Sequence, residues 1–417
     1  MTTIVTRQLD CGMTLLVEPM SGVRSAGLSW MLPCGCAHDA IDRQGRATMW
    51  GELLMRGAGD MGSRDHADAF DRLGASRATD VGTTTLRISA TILGARLLEG
   101  LPLVVDMALR PRMDPDSIEP VRDLAQQALA GLKDDPQQWV MLLARAHHHP
   151  SPRDRSGLGT QEGLAALTRD DLVSGWRETC RPGGSVLAVA GAVDANAVAR
   201  RLDELFVGWG GETRDPPTGA VPARGYHHEH HDTNQVQIVV VQDAPPEPDE
   251  TSVLERLAVS VLSGGMSGRL FSEVREKRGL CYSVNAGYRG EKDYGVLSAY
   301  VGTTPERAQE SLDVLLGELD RIGRPGGEVT REEFDRAITG IKSGLIFSGE
   351  STSARAAALA GDHRRLGRGR TLDEIAAKYD AITLDGLNDY LARRTAGKIT
   401  IQTLGPQALR WSNNTPA

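Results

Sequence analysis

The sequence predicts an α+β fold built from two homologous tandem domains, each a mainly antiparallel sheet covered by helices. Three observations support this prediction. The 417 residues suffice for roughly two or three domains. Residues 212–225 are rich in Pro, Gly and Thr, which is typical of a linker. The halves on either side carry the same order of elements, so we predict an N-terminal domain at 1–211, a linker at 212–225 and a C-terminal domain at 226–417.

Apolar periodicity and Gly or Pro breaks define the elements of the first half. They predict, in chain order, a helix at 46–55, a helix at 64–73, strands at 75–80 and 83–91, and helices at 95–109 and 117–133. Within the second strand, Leu86, Ile88 and Ala90 alternate with polar residues, as expected of a strand with one buried face. Hairpin-like strands covered by helices fit an α+β domain.

The second half repeats that order of elements. Its pattern predicts a helix at 251–262, a turn at Gly264-Gly265, a helix at 269–277, and strands at 281–287 and 295–301. A capping box at Thr330–Glu333 marks the start of a further helix, because its Thr and Glu side chains each satisfy a free backbone N–H. Matching elements on both sides of the linker indicate a duplicated domain rather than a short repeat.

Composition excludes several classes of function. The net charge is −8, from 47 Lys and Arg against 55 Asp and Glu, which is the wrong sign for a nucleic-acid-binding domain. Uninterrupted apolar runs such as residues 186–190 are far shorter than the ~20 residues of a membrane helix, so we expect no membrane partner. The N-terminal residues carry no signal or transit pattern, and the five cysteines indicate reduced thiols, so we expect a cytoplasmic protein.

The segment Gly264–Val284 contains the clearest local signal for function. A helix is predicted to end at Gly279, which suits a left-handed C-cap, and the next strand carries Tyr282. Arg275 lies one turn before that helix end, so its guanidinium and the Tyr282 hydroxyl, both hydrogen-bond donors, can face one cleft. Taken alone, the same residues also fit a basic helix end beside a half-buried tyrosine.

The run GGMSGRLFSEVREKRGLCYSV, residues 264–284, resembles the C-terminal domain of the insulinase-like zinc peptidases, the M16 family that includes pitrilysin and the mitochondrial processing peptidase. The opening RQLDCGMTLLVEPM and the stretch from Gly159 to Asp194 follow the order of the same family, so the resemblance covers nearly the whole chain. It implies the insulinase/processing-peptidase-like fold, in which chains of this length contain two homologous α+β domains in tandem.

The resemblance also implies where a zinc site would lie. Peptidases of the family bind zinc through His-x-x-Glu-His on a first-domain helix, with a Glu on a later helix as third ligand. The motif aligns with residues 48–52. At the positions of the two His, the general base and the third ligand, the chain has Thr48, Glu52, Gly51, and Gln127 or Ala128. One carboxylate cannot hold Zn²⁺ alone, so we expect no metal bound by this chain.

Arg275 and Tyr282, seven residues apart, match the Arg/Tyr pair of the family's C-terminal domain. The resemblance implies that the Tyr hydroxyl donates to the scissile carbonyl as it becomes an oxyanion, while the Arg binds a neighbouring carbonyl. In two-subunit relatives the halves of the site come from different chains. The chain is therefore expected to be the non-catalytic subunit of a heterodimer, inactive alone, that acts on a peptide or unfolded polypeptide at the zinc of a homologous partner subunit.

Two rival functions stay open at this point. The first is a zinc-free binding or scaffold subunit, because the core proteins of respiratory complexes resemble the same family. The second is an independent hydrolase with an unrecognised site, although no Ser-His-Asp or Cys-His arrangement is legible in the sequence.

Three clusters of metal-ligand residue types are better explained as structural. Cys34-Gly35-Cys36 has no second pair to complete a site. His147–His149 precede a proline, where the family often has a His-Pro pair. The run His227–His231 lies on a predicted strand, whose alternation separates His228 and His230 from the other three donors. Whether this last run binds a metal stays open.

Overall fold

The structure is a computed structural model that describes residues 3–411. These residues form two compact units, each assembled from separate stretches of chain. Unit 1 comprises the described residues up to Gly131, Ser151–Gly219 and Phe347–Thr371. Unit 2 comprises Leu132–Pro150, Ala220–Ile346 and the described residues from Leu372 onward. Each unit combines a sheet with helices, which confirms the predicted α+β class.

The strands, numbered in chain order, are β1 (Val5–Gln8), β2 (Thr14–Pro19), β3 (Ser25–Leu32), β4 (Gly57–Ala58), β5 (Met61–Gly62), β6 (Ser76–Val81), β7 (Leu86–Leu93), β8 (Val186–Gly191), β9 (Tyr226–His230), β10 (Val236–Ala244), β11 (Cys281–Gly290), β12 (Gly295–Thr303) and β13 (Thr400–Gly405). The helices of the first half are α1 (Arg46–Leu53), α2 (Ser63–Arg72), α3 (Leu97–Leu109), α4 (Pro115–Ala130), α5 (Pro136–His148), α6 (Gln161–Ala166), α7 (Arg169–Thr179) and α8 (Ala195–Leu205). Those of the second half are α9 (Ser252–Ser263), α10 (Ala308–Arg321), α11 (Arg331–Gly349), α12 (Thr352–Leu366), α13 (Leu372–Asp380) and α14 (Leu384–Arg393).

The two large sheets repeat one strand order. In unit 1 the order is β1-β2-β8-β3-β7-β6, and in unit 2 it is β11-β12-β10-β13-β9. Reading unit 2 from β11 therefore reproduces unit 1 from β6, with β9 in the place of β2. The pairing directions agree as well, since β2 runs parallel to β8 and β9 runs parallel to β13, while the remaining pairs are antiparallel. This repetition confirms the predicted pair of homologous, mainly antiparallel domains.

Each sheet buries one face against helices of its own half of the chain. In unit 1 the alternating residues Leu86, Ile88 and Ala90 are buried in the core, as the sequence pattern predicts. In unit 2 the matching layer includes Ile238 of β10 and Leu312 of α10. Burial of apolar surface on this face stabilises each unit at roughly 25 cal/mol per Å².

The other face of each sheet is covered by a helix from the opposite half of the chain. Helix α12 packs on β3 and β8 of unit 1, so closely that a Cβ at Gly27 would lie 2.4 Å from the Thr352 carbonyl carbon. Helix α5 packs on β10 and β13 of unit 2, with Val140 and Ala144 against Val239. The compact units therefore differ from the consecutive halves 1–211 and 226–417 at these two helices. Helix α5 lies in the first half and belongs to unit 2, and helix α12 lies in the second half and belongs to unit 1.

Residues 212–225 contain no helix or strand. Each end of this segment is tied to its own unit by an ion pair. In unit 1, Arg364 of α12 donates to Asp215, with an Nη2–Oδ1 distance of 2.6 Å. In unit 2, Arg224 pairs with Asp243. No helix within residues 3–411 is long and apolar enough to cross a lipid bilayer.

Candidate functional site

Helix α1 carries the degenerate metal motif in unit 1. It begins after Gly45, and the buried carboxylate of Asp39 accepts hydrogen bonds from the Gly45 and Ala47 backbone N–H groups at 3.0 and 3.1 Å. Burial raises the pKa of Asp39 to about 6, although these hydrogen bonds and the charge of Arg46 oppose the rise. Trp50 anchors the inward face of the helix, since its indole donates to the Leu172 carbonyl at 2.9 Å. The helix is thus fixed at its start and along its buried side.

The motif positions on α1 are occupied or closed. The Thr48 hydroxyl donates to the carbonyl of Gly157. At Gly51 a Cβ would lie 3.1 Å from Cγ2 of Val81 on β6, and the Gly51 carbonyl accepts the Thr79 hydroxyl at 2.9 Å. The edge strand β6 therefore crowds a side chain at Gly51, and Val81 would have to shift by a few tenths of an ångström to admit one. Glu52 is exposed.

The positions of the third ligand offer no donor that suits zinc. Gln127 and Ala128 are exposed on α4, which packs against α1. Zinc in proteins is held by several Cys, His or carboxylate ligands, and Glu52 is the lone carboxylate among the motif positions. Within residues 3–411, no group of three or more His, Cys, Asp and Glu is placed to hold a metal ion. The residues present do not fit the zinc site of the family.

In unit 2, Arg275 lies on a turn of π-helix, Phe271–Glu276, rather than in the α-helix predicted at 269–277. The Lys277 N–H donates to the Ser272 carbonyl at 3.0 Å, five residues back, which defines the wider turn. The turn ends as the sequence predicts, because Gly279 adopts a left-handed φ of 61° and donates to the Arg275 carbonyl at 3.0 Å. Arg275 therefore stands directly before the reversal that leads into β11.

Tyr282 follows that reversal and lies at a β-bulge. Strand β11 is the outer strand of its sheet, and its pairing with β12 shifts register between Cys281 and Ser283, so Tyr282 is the extra residue. Bulges re-aim side chains and are frequent beside active sites. The Tyr282 side chain is 69% exposed, and its hydroxyl makes no hydrogen bond within the described part of the chain. The structure thus presents this phenol to solvent.

The electrostatics of the turn leave Arg275 without a carboxylate. Glu273 binds Lys277 and Arg278, each at 2.7 Å, and hydrogen bonds from these two cations, Lys277 first, hold the pKa of Glu273 below its usual range. No Asp or Glu of residues 3–411 forms an ion pair with Arg275. Its guanidinium carbon instead lies 5.0 Å from the ring centroid of Phe271. No hydrogen bond joins Arg275 to Tyr282 in this part of the chain.

Sequence reasoning missed Phe271. It precedes Arg275 by four residues, and side chains at that spacing share one helix face, so the contact was legible in principle. It also missed Val81, whose contact with Gly51 joins residues of distant elements and leaves no local signal.

The histidine clusters of unit 2 are engaged in packing between α5 and the sheet. His147 stacks on His227 with ring centroids 3.9 Å apart, and its Nδ1 donates to Gln402 Oε1 at 2.8 Å. His231 packs edge-on against Trp139 of α5. His148 is buried beside Thr400 of β13 at 3.0 Å. The alternation predicted for this strand holds, since the rings of His227 and His231 both contact α5.

The cysteines of the Cys34-Gly35-Cys36 segment form no disulfide and are buried in unit 1. The Cys36 thiol donates to the Arg155 carbonyl with an Sγ–O distance of 3.7 Å. Burial raises the pKa of the Cys34 thiol well above its usual value, and a hydrogen bond with the Cys180 thiol adds to the effect. A protonated buried thiol is inert, so these cysteines act as small core residues.

Comparison with known proteins identifies proteins that are similar to this chain in sequence and in fold. Residues 166–341 match the family model described as the Peptidase M16 inactive domain. An uncharacterized zinc protease of Streptomyces coelicolor is 26% identical over 413 residues, 95% of this chain and 88% of that protein. A solved peptidase M16 inactive domain from Pseudomonas fluorescens has a TM-score of 0.87 at 19% identity, covering 98% of this chain and 100% of that one. A chain of complex III2 from Candida albicans has a TM-score of 0.82 at 16% identity, covering 97% and 96%.

Proposed function

Because the chain belongs to the M16 family of insulinase-like peptidases, we propose that it is the non-catalytic subunit of a heterodimeric zinc metallopeptidase. In this proposal, Arg275 and Tyr282 act on substrate held at the zinc of a partner chain. One contrast carries the proposal. The metal-motif positions of α1 are crowded or lack ligands, whereas Arg275 and Tyr282 beside β11 are exposed, and no carboxylate of the described residues pairs with Arg275.

The chemistry assigned to this chain is hydrogen-bond donation to the substrate backbone. Tyr282 donates its hydroxyl proton to the scissile carbonyl oxygen as negative charge develops there. Arg275 donates to a neighbouring peptide carbonyl and orients the substrate. Donors placed where charge develops lower the barrier, and loss of one such donor typically costs on the order of 10²–10³ in rate. Arg275 acts in binding, so its loss affects the ground state as well.

The proposed partner is a homologous, zinc-bearing M16 subunit, and the proposed substrate is a peptide or an unfolded polypeptide. Two observations support this pairing. The Streptomyces coelicolor relative, which is called a zinc protease, is similar to this chain over nearly its full length. The Thr48 and Gly51 positions leave this chain without the groups that such chemistry requires, so a second chain has to supply them.

The test reconstitutes the chain with a zinc-bearing homologue from the same cell and follows cleavage of a quenched-fluorescence peptide of unstructured sequence. We expect no cleavage by the chain alone. In the complex, Tyr282→Phe lowers kcat/KM about 10²–10³-fold, because it removes the hydroxyl and keeps the ring. Tyr288→Phe on the same strand is the matched control, since the Tyr288 hydroxyl donates to the Pro245 carbonyl at 2.7 Å and faces no substrate.

A second candidate is a zinc-free scaffold subunit, and the full-length similarity of fold to a chain of complex III2 supports considering it. A scaffold would form a stable assembly whose properties ignore both substitutions. Equal turnover for wild type, Tyr282→Phe and Arg275→Ala in a confirmed complex would therefore reject the proposed role in catalysis. Cleavage by the isolated chain in the presence of a chelator would instead indicate an independent hydrolase.

A further inference from the structure

Phe271 is the side chain that contacts the guanidinium of Arg275. The guanidinium carbon lies 5.0 Å from the ring centroid, within the range of a cation–π interaction. Phe271 is half-buried at the start of the π-helical turn, so its ring has a fixed position. The next anchor along the turn is Val274, which is fully buried. The backbone between the two contacting side chains is therefore held against the core of unit 2.

An aromatic face holds an arginine differently from a carboxylate. A carboxylate binds the guanidinium edge in a bidentate manner and occupies its N–H donors. A ring contacts the guanidinium plane, so the five N–H donors at the edge stay available. The other two cations of this segment, Lys277 and Arg278, are both bound to Glu273, and Arg275 alone of the three faces a ring. This division keeps one cation of the turn free to donate.

The direction of the Arg275 side chain has independent support at the start of β11. Burial raises the pKa of the Cys281 thiol to about 11, and the positive charge of Arg275 partly opposes the rise. The guanidinium is therefore close to Cys281, the residue before Tyr282. The guanidinium thus lies beside the ring of Phe271 and near the first residue of β11.

We propose that Phe271 is a positioning residue, which orients Arg275 through its ring and leaves the guanidinium donors free to bind a carbonyl of the substrate backbone. This inference rests on the proposed function of Arg275. It adds a residue whose role is indirect, since Phe271 touches Arg275 and not the substrate.

The test compares Phe271→Leu with Phe271→Tyr in the reconstituted complex. Leu keeps the apolar volume and removes the aromatic face, and we expect KM to rise about two- to fivefold with kcat nearly unchanged, which corresponds to an exposed cation–π interaction. Tyr keeps the ring and should restore the wild-type KM to within about twofold. Phe271→Glu should raise KM more than Leu, because the carboxylate occupies the donors of Arg275. Lys277→Ala, which removes a paired cation of the same turn, is the control.

A spectroscopic measurement on the chain alone tests the contact without activity. In NMR spectra of chain labelled at arginine, the δ-protons of Arg275 should carry an upfield ring-current shift, identified by its loss in Arg275→Lys. Phe271→Leu should abolish the shift and Phe271→Tyr should keep it.

The outcomes separate failure of this inference from failure of the proposed function. If Arg275→Ala lowers kcat/KM while Phe271→Leu leaves KM unchanged, or lowers only kcat, the positioning role is overturned and the function stands. Absence of the ring-current shift overturns the positioning role as well. If Arg275→Ala and Tyr282→Phe both leave kcat/KM unchanged, the proposed function fails, and with it the premise of this inference.

Discussion

Unit 1 and unit 2 share the order of five strands, and they treat equivalent edges of their sheets in opposite ways. At the β6 edge of unit 1, Val81 and Thr79 pack onto α1 at Gly51. This is the position at which peptidases of the family carry the general base. At the β11 edge of unit 2, the bulge turns Tyr282 outward and the preceding turn exposes Arg275. Polar groups are satisfied internally at the first edge and are exposed to solvent at the second.

Under the proposed function, the difference teaches that loss of one role and retention of another are visible as packing. A decayed position is recognised by a short contact in the space of the missing side chain, such as the one at Gly51. A retained donor is recognised by exposure without an internal partner, as at Tyr282. Neither property follows from residue identity alone. The predictions below change one unit at a time, and they run from the largest expected effect to the smallest.

The largest effect is expected at α12, the helix that the second half of the chain contributes to unit 1. Arg355 of α12 and Glu18 of β2 form a buried ion pair with an Nε–Oε2 distance of 3.0 Å, and both residues are almost fully buried. Glu18→Ala leaves a buried, unpaired guanidinium, so the free energy of unfolding should fall by about 3–5 kcal/mol. Urea denaturation followed by tryptophan fluorescence measures the change.

Two further variants check the explanation for the ion pair. Glu18→Leu combined with Arg355→Met removes both charges and should regain most of the lost stability. Arg201→Ala breaks an exposed pair with Glu204 in the same unit and should cost under about 1 kcal/mol. A small loss for Glu18→Ala would mean that α12 is held by its apolar contacts alone.

The second prediction concerns restoration of the metal motif in unit 1. The triple variant Thr48→His, Gly51→Glu, Glu52→His should bind well below one zinc ion per chain, as measured by elemental analysis after dialysis. The new Glu at position 51 meets Val81, so the variant should also lose about 1–3 kcal/mol of stability through overpacking. The double variant without the Gly51 change is the control and should keep more stability. One tightly held zinc per triple-variant chain would contradict the closed geometry.

The third prediction is a loss of stability in unit 2 at mildly acidic pH. Burial first, and then the neighbours His147 and His230, lower the pKa values of His227 and His228 respectively below 6.5. The unfolded chain then binds protons more readily than the folded chain, so stability falls as pH drops below about 6.5. Both rings are partly exposed and screened by water, so the loss between pH 7 and pH 5 should stay under about 1 kcal/mol in total.

Hydrogen exchange resolved by segment provides the measurement for that loss. Protection of α5 and β9 should decrease at pH 5, and His227→Phe, which keeps the stack on His147 and cannot take up a proton, should reduce the decrease. In unit 1, Asp39 has the opposite sign. Its pKa is raised to about 6, so its contribution to stability is present at low pH and is lost as pH rises between about 4 and 6. Equal changes in protection of both units would argue against the histidine explanation.

The smallest effect is expected for the exposed donor itself. Tyr282→Phe should change the free energy of unfolding by less than about 0.5 kcal/mol, since its hydroxyl makes no hydrogen bond within the chain that the structure describes. Tyr288→Phe should cost about 1 kcal/mol, because it leaves the Pro245 carbonyl without its donor. Thermal unfolding of both variants measures the two changes in the free energy of unfolding. A larger loss for Tyr282→Phe would assign that phenol to structure rather than to a substrate.

Much of the fold could be predicted because its signals are local. The alternation of Leu86, Ile88 and Ala90 and the left-handed turn at Gly279 depend on neighbouring residues, and the structure has both where the sequence predicts them. The duplication was also legible, because both halves carry the same order of elements. The α-helix predicted at 269–277 was wrong for its central part, where a wider turn occurs, since periodicity does not distinguish one extra residue in a turn.

The exchange of α5 and α12 could not be predicted from the sequence. The apolar face of a helix indicates that the helix packs on a sheet. Nothing in its pattern indicates on which of two similar sheets it packs. Arg355 and Glu18 are 337 residues apart, so their pairing leaves no spacing signal. The same limit applies to the site. Arg275 and Tyr282 could be singled out by their spacing, whereas the closure of the Gly51 position by Val81 depends on packing between distant elements.

Helix α5 of the first half covers the sheet of unit 2, and helix α12 of the second half covers the sheet of unit 1. Each half of the polypeptide therefore depends on the other for the helix that covers one face of its sheet. A half-chain produced alone would leave apolar strand residues such as Val239 or Ala188 facing water and would tend to aggregate. Halves produced together, or a chain nicked between 212 and 225, would instead reassemble by fragment complementation. Neither half is therefore expected to form a stable fold without the other.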